Sequence, residues 1–330
     1  MEKIKNISIT NFKSIKKAEL NDCRKVNLLI GYPNVGKSNI LEALSLSYLQ
    51  HVFFGAANEL NLSFDEIIRL KNFSHFFNIY SKENKCNIKI NDSNLDIELL
   101  NKFLFKFDNK DILGSKETDF LTIEGLTSNS SNPLIKKYVY KENIKFVNSV
   151  DSILHVPNGQ NLPKVLESYD ELRADIESLF IDFNLKLVIE SFPAEIKLLN
   201  DKRKDKIILF DYKLMADSIQ RLIFHKAAIA SNFETVILFE EPEAHTFPPY
   251  IKKLTHEIIK NENNNQYFIT THSTDILSEF IENDKMRSEL SVFIVDYKNE
   301  GTNVTRIKDE DIIRVGQAGI DLLYNIENFI

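Results

Sequence analysis

The chain has 330 residues, enough for one large α/β core or for a core with an inserted subdomain. Its 43% hydrophobic and 27% charged residues are those of an ordinary globular protein, and a formal net charge of −7 argues against holding nucleic acid by overall electrostatics, although a local basic groove stays open. The two cysteines, Cys23 and Cys86, fall in no paired-spacing motif, the start is not signal-like and no run nears the ~20 apolar residues of a membrane span, so a cytoplasmic protein without disulfides or zinc is expected.

Ile4, Ile7, Ile9 and Phe12 predict a first strand and Ile15 to Leu20 a second. The apolar run Val26 to Ile30 then feeds Gly31-Tyr32-Pro33-Asn34-Val35-Gly36-Lys37-Ser38, followed by a helical pattern over Asn39 to Leu46. Strand, glycine loop and helix in this order make a P-loop, in which backbone N–H groups and the helix N-terminus converge on phosphate oxygens. Gly31 and Gly36 let the chain wrap the ligand, and Asn34, Val35 and Asn39 count among the cofactor-binding positions. Lys37 is expected on the β- and γ-phosphates and the Ser38 hydroxyl on Mg²⁺. Only nine glycines occur in the chain, which makes a chance match to this spacing rare.

Beyond Gln50 a helix is expected over 60–77. Short alternating runs at Cys86 to Ile90, Leu95 to Leu99, Phe120 to Ile123 and Lys137 to Tyr140 then read as an antiparallel meander, broken by a polar loop over 127–133. Pro163 to Phe180 reads as one helix. Lys186 to Ile189, Glu195 to Leu199 and Ile207 to Phe210 read as strands. The basic run Lys202 to Lys206 is a solvated hairpin tip or, on the second reading, a contact to DNA or an acidic partner.

Helix is expected again over Ala216 to Ala230. A buried strand, Glu234 to Phe239, ends in Glu240-Glu241, and a helix over Ile251 to Lys260 follows Phe247-Pro248-Pro249. A second buried strand, Gln266 to Thr271, ends at His272. Strands at Ser291 to Val295 and Val304 to Ile307 and a closing helix over Gly319 to Phe329 complete the pattern. The fold class is α/β: a nucleotide-binding core over 1–50 and 205–330 with a mixed, mostly parallel sheet, and an inserted α+β subdomain over 51–204. Carboxylates at the carboxyl end of a parallel strand face a ligand held by the glycine loop. Glu240 is therefore expected to hold Mg²⁺, Glu241 to polarise the attacking water, and His272 to face the γ-phosphate or that water unless it is a structural histidine.

Glu240-Glu241-Pro242-Glu243-Ala244-His245, Thr270-Thr271-His272-Ser273 and the opening Ile9-Thr10-Asn11-Phe12-Lys13-Ser14-Ile15 resemble the ABC-type ATPases of the SMC, RecF and OLD-nuclease group. More closely, they are similar to that group's short bacterial AAA family proteins, many associated with phage defence. The resemblance covers about residues 1–50 and 205–330. It implies a P-loop ABC-type core, ATP and Mg²⁺ as cofactors, and a homodimer or higher homo-oligomer sandwiching two nucleotides. It implies Glu240 as the Walker B metal residue, Glu241 as the catalytic glutamate and His272 as the switch histidine. Asp217-Ser218 occupies the signature motif, which would face the nucleotide of the partner copy.

Three residues depart from the group: Glu240 stands where Asp is usual, Asp217-Ser218 where serine-glycine is expected, and Phe247 replaces a frequent histidine. Gln50 follows the first helix, but no glutamine-loop residue is assigned. The expected function is ATP binding with slow hydrolysis, in a sensor or scaffold for a separate effector such as a nuclease or toxin, with a role in anti-phage defence. No second catalytic centre appears after His272, so nuclease chemistry would come from a partner. The alternatives are a RecF-like DNA-binding repair ATPase and a non-hydrolysing nucleotide-binding scaffold.

Overall fold

The computed structural model describes residues 2–47, 68–69, 75–99, 103–108, 110–113, 134–200, 202 and 207–329. Most of the expected helix over 60–77, the run Phe120 to Ile123, the polar loop over 127–133, Gln50 and the basic residues 203–206 lie outside them. In chain order the elements are β1 (Ile7–Phe12), β2 (Ile15–Leu20), β3 (Val26–Ile30), α1 (Lys37–Leu46), β4 (Lys85–Ile90), β5 (Ser93–Leu99), β6 (Phe103–Phe107), β7 (Lys110–Leu113) and β8 (Leu134–Tyr138). Then come α2 (Leu162–Ser168), α3 (Asp170–Ser178), β9 (Leu185–Ser191), β10 (Ala194–Asn200), β11 (Ile208–Asp211), α4 (Asp217–Ser231), β12 (Thr235–Glu240) and α5 (Pro248–Lys260). The chain finishes with β13 (Gln266–Thr270), α6 (Thr274–Ile281), α7 (Asp284–Arg287), β14 (Leu290–Lys298), β15 (Gly301–Arg306) and α8 (Asp309–Ala318).

The chain forms two compact units: 1–137 with 234–241 and 266–330, and 138–233 with 242–265. In the first unit β14, β3, β13 and β12 are parallel neighbours, β15 closes one edge antiparallel to β14, and β8 lies at the other edge. The central strands β3, β12 and β13 are mostly apolar because both their faces are covered: every residue of β3 and of β13 is buried. The second sheet is antiparallel in the order β2-β1-β4-β5-β6-β7. Helix α1 packs against β1 of this sheet and against β12 and β13 of the other. Ile40, Leu41 and Leu44 of α1 thus share one core with Ile9, Phe12, Ile88 and Phe105 on one side and Leu29, Leu238 and Phe268 on the other. Phe76 joins Phe12 and Phe103 in this core, with ring centroids 5.2 and 5.1 Å away.

Of the expected meander, the strands over 85–113 are antiparallel and do not stand alone. β4 pairs with β1 in the register Ile9↔Ile88, so these strands extend the N-terminal hairpin. Lys137 to Tyr140 is not part of the meander: β8 lies at the edge of the mostly parallel sheet.

In the second unit β11-β10-β9 is an antiparallel sheet with α2 against β9 and β10. The buried Lys226 ammonium ties α4 to α3 through Asp175 at 2.9 Å and to α5 through Glu257. The helix expected over Pro163 to Phe180 is two helices. Tyr169 is extended (φ −121°, ψ 94°), and Asp170 and Glu171 open the next helix, where its dipole favours carboxylates.

The C-terminal expectation is also corrected. Gly319 ends a helix instead of starting one: it caps α8 in the left-handed conformation, φ +60°, its N–H donating to the Val315 carbonyl. Beyond it the chain makes turns and a 3₁₀ segment, Ile326–Phe329. Among the described residues no helix is long and apolar enough to cross a membrane.

Candidate functional site

β3 delivers the chain to Gly31, whose added Cβ would stand 2.1 Å from the Val295 carbonyl oxygen on β14. The loop then turns through Asn34 (φ +63°) and Gly36 (φ +103°) into α1. Behind Gly36 runs a directed hydrogen-bond relay. Thr302 Oγ1 donates to the Val35 carbonyl at 2.8 Å, so the Ser14 hydroxyl donates to Thr302 Oγ1 at 2.7 Å and in turn accepts from Asn39 Nδ2 at 2.7 Å. Three segments distant in sequence, around Ser14, Val35 to Asn39 and Thr302, are locked together at the loop. The Lys37 side chain is buried, and its ammonium donates to the Gly31 and Tyr32 carbonyls at 2.9 and 2.8 Å, within the curl of its own loop.

The Ser38 hydroxyl, one residue on, meets Glu240 at the end of β12. Burial opposes ionisation of Glu240, but Lys137, the Ser38 hydroxyl and Arg69 outweigh it and hold the carboxyl below its usual range. Lys137 Nζ lies 3.3 Å from Glu240 Oε2, and the Arg69 guanidinium takes Oε1. Arg69 Nε also faces Glu42 Oε1 of α1 at 3.7 Å, and Glu42 is paired with Lys13.

Glu241 leaves the strand in a left-handed conformation, φ +44°, with its N–H donating to the Thr270 carbonyl at 3.0 Å. For a residue with a Cβ this costs about 1–2 kcal/mol. The bond to Thr270 ties this turn to the carboxyl end of β13. His272, two residues beyond β13, has Nε2 3.4 Å from Glu241 Oε1. Burial and the nearby Lys37 charge pull the His272 pKa below its ordinary value, with Glu241 opposing. A neutral imidazole offers one donor and one acceptor.

The first unit thus brings Gly31, Asn34, Val35, Gly36, Lys37, Ser38, Asn39, Glu240, Glu241 and His272 to the carboxyl ends of β3, β12 and β13. Asp217 and Ser218 belong to the second unit, at the first two positions of α4. Asp217 Oδ2 accepts from Arg221 Nε at 2.6 Å, one turn along the helix, and Arg221 also lies over the Tyr140 ring at 4.4 Å. Phe247 is exposed and stacks edge-on with Tyr250.

Sequence reasoning missed Lys137, Arg69, Ser14 and Thr302. The one signal was Lys136-Lys137 inside an otherwise apolar strand, where two buried lysines need a reason.

A Mg²⁺ ion suits the donor set. Ser38 and Glu240 supply adjacent hard oxygens, and Mg²⁺ is commonly held by one or two protein oxygens with phosphates and water completing the octahedron. Among the described residues no cluster of three His, Cys, Asp or Glu could hold a metal by itself.

No family model matches the chain. The DNA replication and repair protein RecF of Caldanaerobacter subterraneus subsp. tengcongensis is 33% identical over 89 residues, 27% of this chain. The match spans only 24% of that relative. The SMC head bound to the C-winged helix domain of ScpA aligns at a TM-score of 0.55 and 14% identity, covering 95% of this chain and 100% of that one. An SMC head with an extended coiled coil, bound to the C-terminal domain of ScpA derived from Pyrococcus furiosus, aligns at 0.53 and 13% identity, covering 96% and 98%. The chain has the α/β P-loop fold of the SMC heads.

Proposed function

We propose that this chain, carrying the SMC-head fold, binds ATP with Mg²⁺ and hydrolyses it slowly, dimerising around nucleotide as ABC-type ATPases do. The observation that carries the reading is the convergence of the Ser38–Glu240 contact and the Glu241–His272 pair, 3.4 Å apart, beside the glycine loop.

In this mechanism the loop N–H groups and the Lys37 ammonium bind the β- and γ-phosphates, and Ser38 and Glu240 hold the metal. Bound Mg²⁺ would neutralise charge that develops on the phosphate oxygens. Glu241 takes a proton from water as the water oxygen attacks the γ-phosphorus. The bond from that phosphorus to the β-bridging oxygen breaks, leaving ADP and phosphate. His272, neutral, donates to the γ-phosphate or orients the water.

Asp217-Ser218 at the head of α4 would face the γ-phosphate of a partner copy. The helix dipole favours an anion there and the Asp217 carboxylate opposes it, even with Arg221 beside it. Slow turnover follows from that conflict.

Phosphate release compared between the wild type and Glu241→Gln tests the reading. The variant should still bind ATP and release phosphate at least about 100-fold more slowly, the lower end for loss of a general base. Wild-type release no faster than the variant's would leave only a non-hydrolysing scaffold.

The resemblance to short defence-associated ATPases supports a sensor or scaffold role toward a separate nuclease or toxin. The RecF match over 89 residues favours a second reading, a DNA-binding repair ATPase, marked by binding to duplex DNA that weakens steeply with salt.

A further inference from the structure

Lys137 and Arg69 take the two oxygens of Glu240, but Arg69 is shared: it also faces Glu42, which pairs with Lys13, and it feels the Glu241 charge, so Lys137 is the cation given to Glu240 alone. Arg69 is two-thirds exposed, but the Lys137 side chain is only 7% exposed, inside β8. A strand there would be served by valine, and burying an ammonium is costly unless its charge is used. What faces it is the carboxylate that also meets Ser38 and that would hold the metal.

We propose that Lys137 is a built-in counter-cation to Glu240 that lets the glycine loop bind ATP without a divalent ion. The inference rests on the ATP-binding reading. A metal-free triphosphate in the loop approaches the Glu240 carboxylate. With Lys137 present that charge is already matched, and repulsion is small. When Mg²⁺ accompanies the nucleotide, the ion supplies the same compensation and Lys137 becomes redundant. Lys137 is thus a positioning residue whose effect depends on whether metal is present, which a purely structural residue would not show.

The test is the affinity of a fluorescent ATP analogue, measured by titration in EDTA and in saturating Mg²⁺, on the full chain. Wild type should bind in EDTA within about tenfold of its Mg²⁺ affinity. Lys137→Met should weaken binding about tenfold or more in EDTA and less than about threefold in Mg²⁺. Lys137→Arg should restore the wild-type ratio, and Lys137→Met combined with Glu240→Gln should recover the EDTA affinity by removing the carboxylate that the shared, exposed Arg69 alone then offsets only in part.

Equal losses of Lys137→Met in both media, or no loss in EDTA, overturn the proposal. So does a wild type whose affinity collapses more than about 100-fold in EDTA, a result that needs no variant to fold. Failure of the ATP-binding reading looks different: wild type and Lys37→Ala would be alike in Mg²⁺, with no binding to compare.

Discussion

At Gly36 an added Cβ would meet Thr302 Oγ1 at 2.1 Å and Ser14 Oγ at 2.6 Å, in a backbone conformation, φ +103°, that residues with side chains rarely adopt. Gly36→Ala must strain the backbone and also break the Ser14–Thr302–Val35 relay. We expect a loss of about 2–4 kcal/mol in urea unfolding, together with loss of nucleotide binding. Thr302→Val separates the two effects, because it removes the relay and leaves the backbone free. Its cost should be nearer 1–2 kcal/mol, since it strands the Ser14 and Val35 partners without imposing strain. A Thr302→Val variant as unstable as Gly36→Ala would show that the relay, and not the backbone, governs the loop.

Helix α4 carries a titration of its own. His225 is buried, its Nδ1–H donates to the Arg221 carbonyl at 2.8 Å, and burial pulls its pKa down to about 4. An unfolded histidine titrates near 6.5, so the unfolded chain takes up the proton first. This contribution is complete above about pH 6.5 and is lost as pH falls toward 4, amounting to about 2 kcal/mol between pH 7 and 5. Unfolding free energies of the wild type and His225→Gln at those two pH values check it: the difference between the proteins should shrink toward acid.

The elements differed in how openly the sequence declared them. β3, β12 and β13 are buried on both faces and print as apolar runs, and the glycine spacing marks the loop between β3 and α1. The pairing of β4 with β1 was hidden, because an alternating strand looks the same in a free-standing meander as at the edge of an existing sheet. Asp309, Glu310 and Asp311 did signal the start of α8, and Gly319 its end, but the glycine was read as an opening. Arg69 and Lys137 were illegible as partners of Glu240, since a lone cation acquires its carboxylate only through the fold.

For the whole molecule the proposed dimer makes a plain prediction. In Glu241→Gln, which should retain ATP, light scattering after size exclusion is expected to report one copy without nucleotide and two with ATP and Mg²⁺. A mass unchanged by ATP would sink nucleotide-driven dimerisation while leaving binding in place. The sheet order has another consequence, in the time the chain takes to be made. Val26 of β3 is flanked by Tyr267 of β13 and Leu290 of β14. The ribosome therefore releases this buried strand well before its two neighbours. Throughout that interval Val26 to Ile30 is an uncovered sticky segment, and the N-terminal hairpin with β4 to β7 is what can assemble beside it. The glycine loop is thus synthesised well before the two strands that flank β3 and hold it in place.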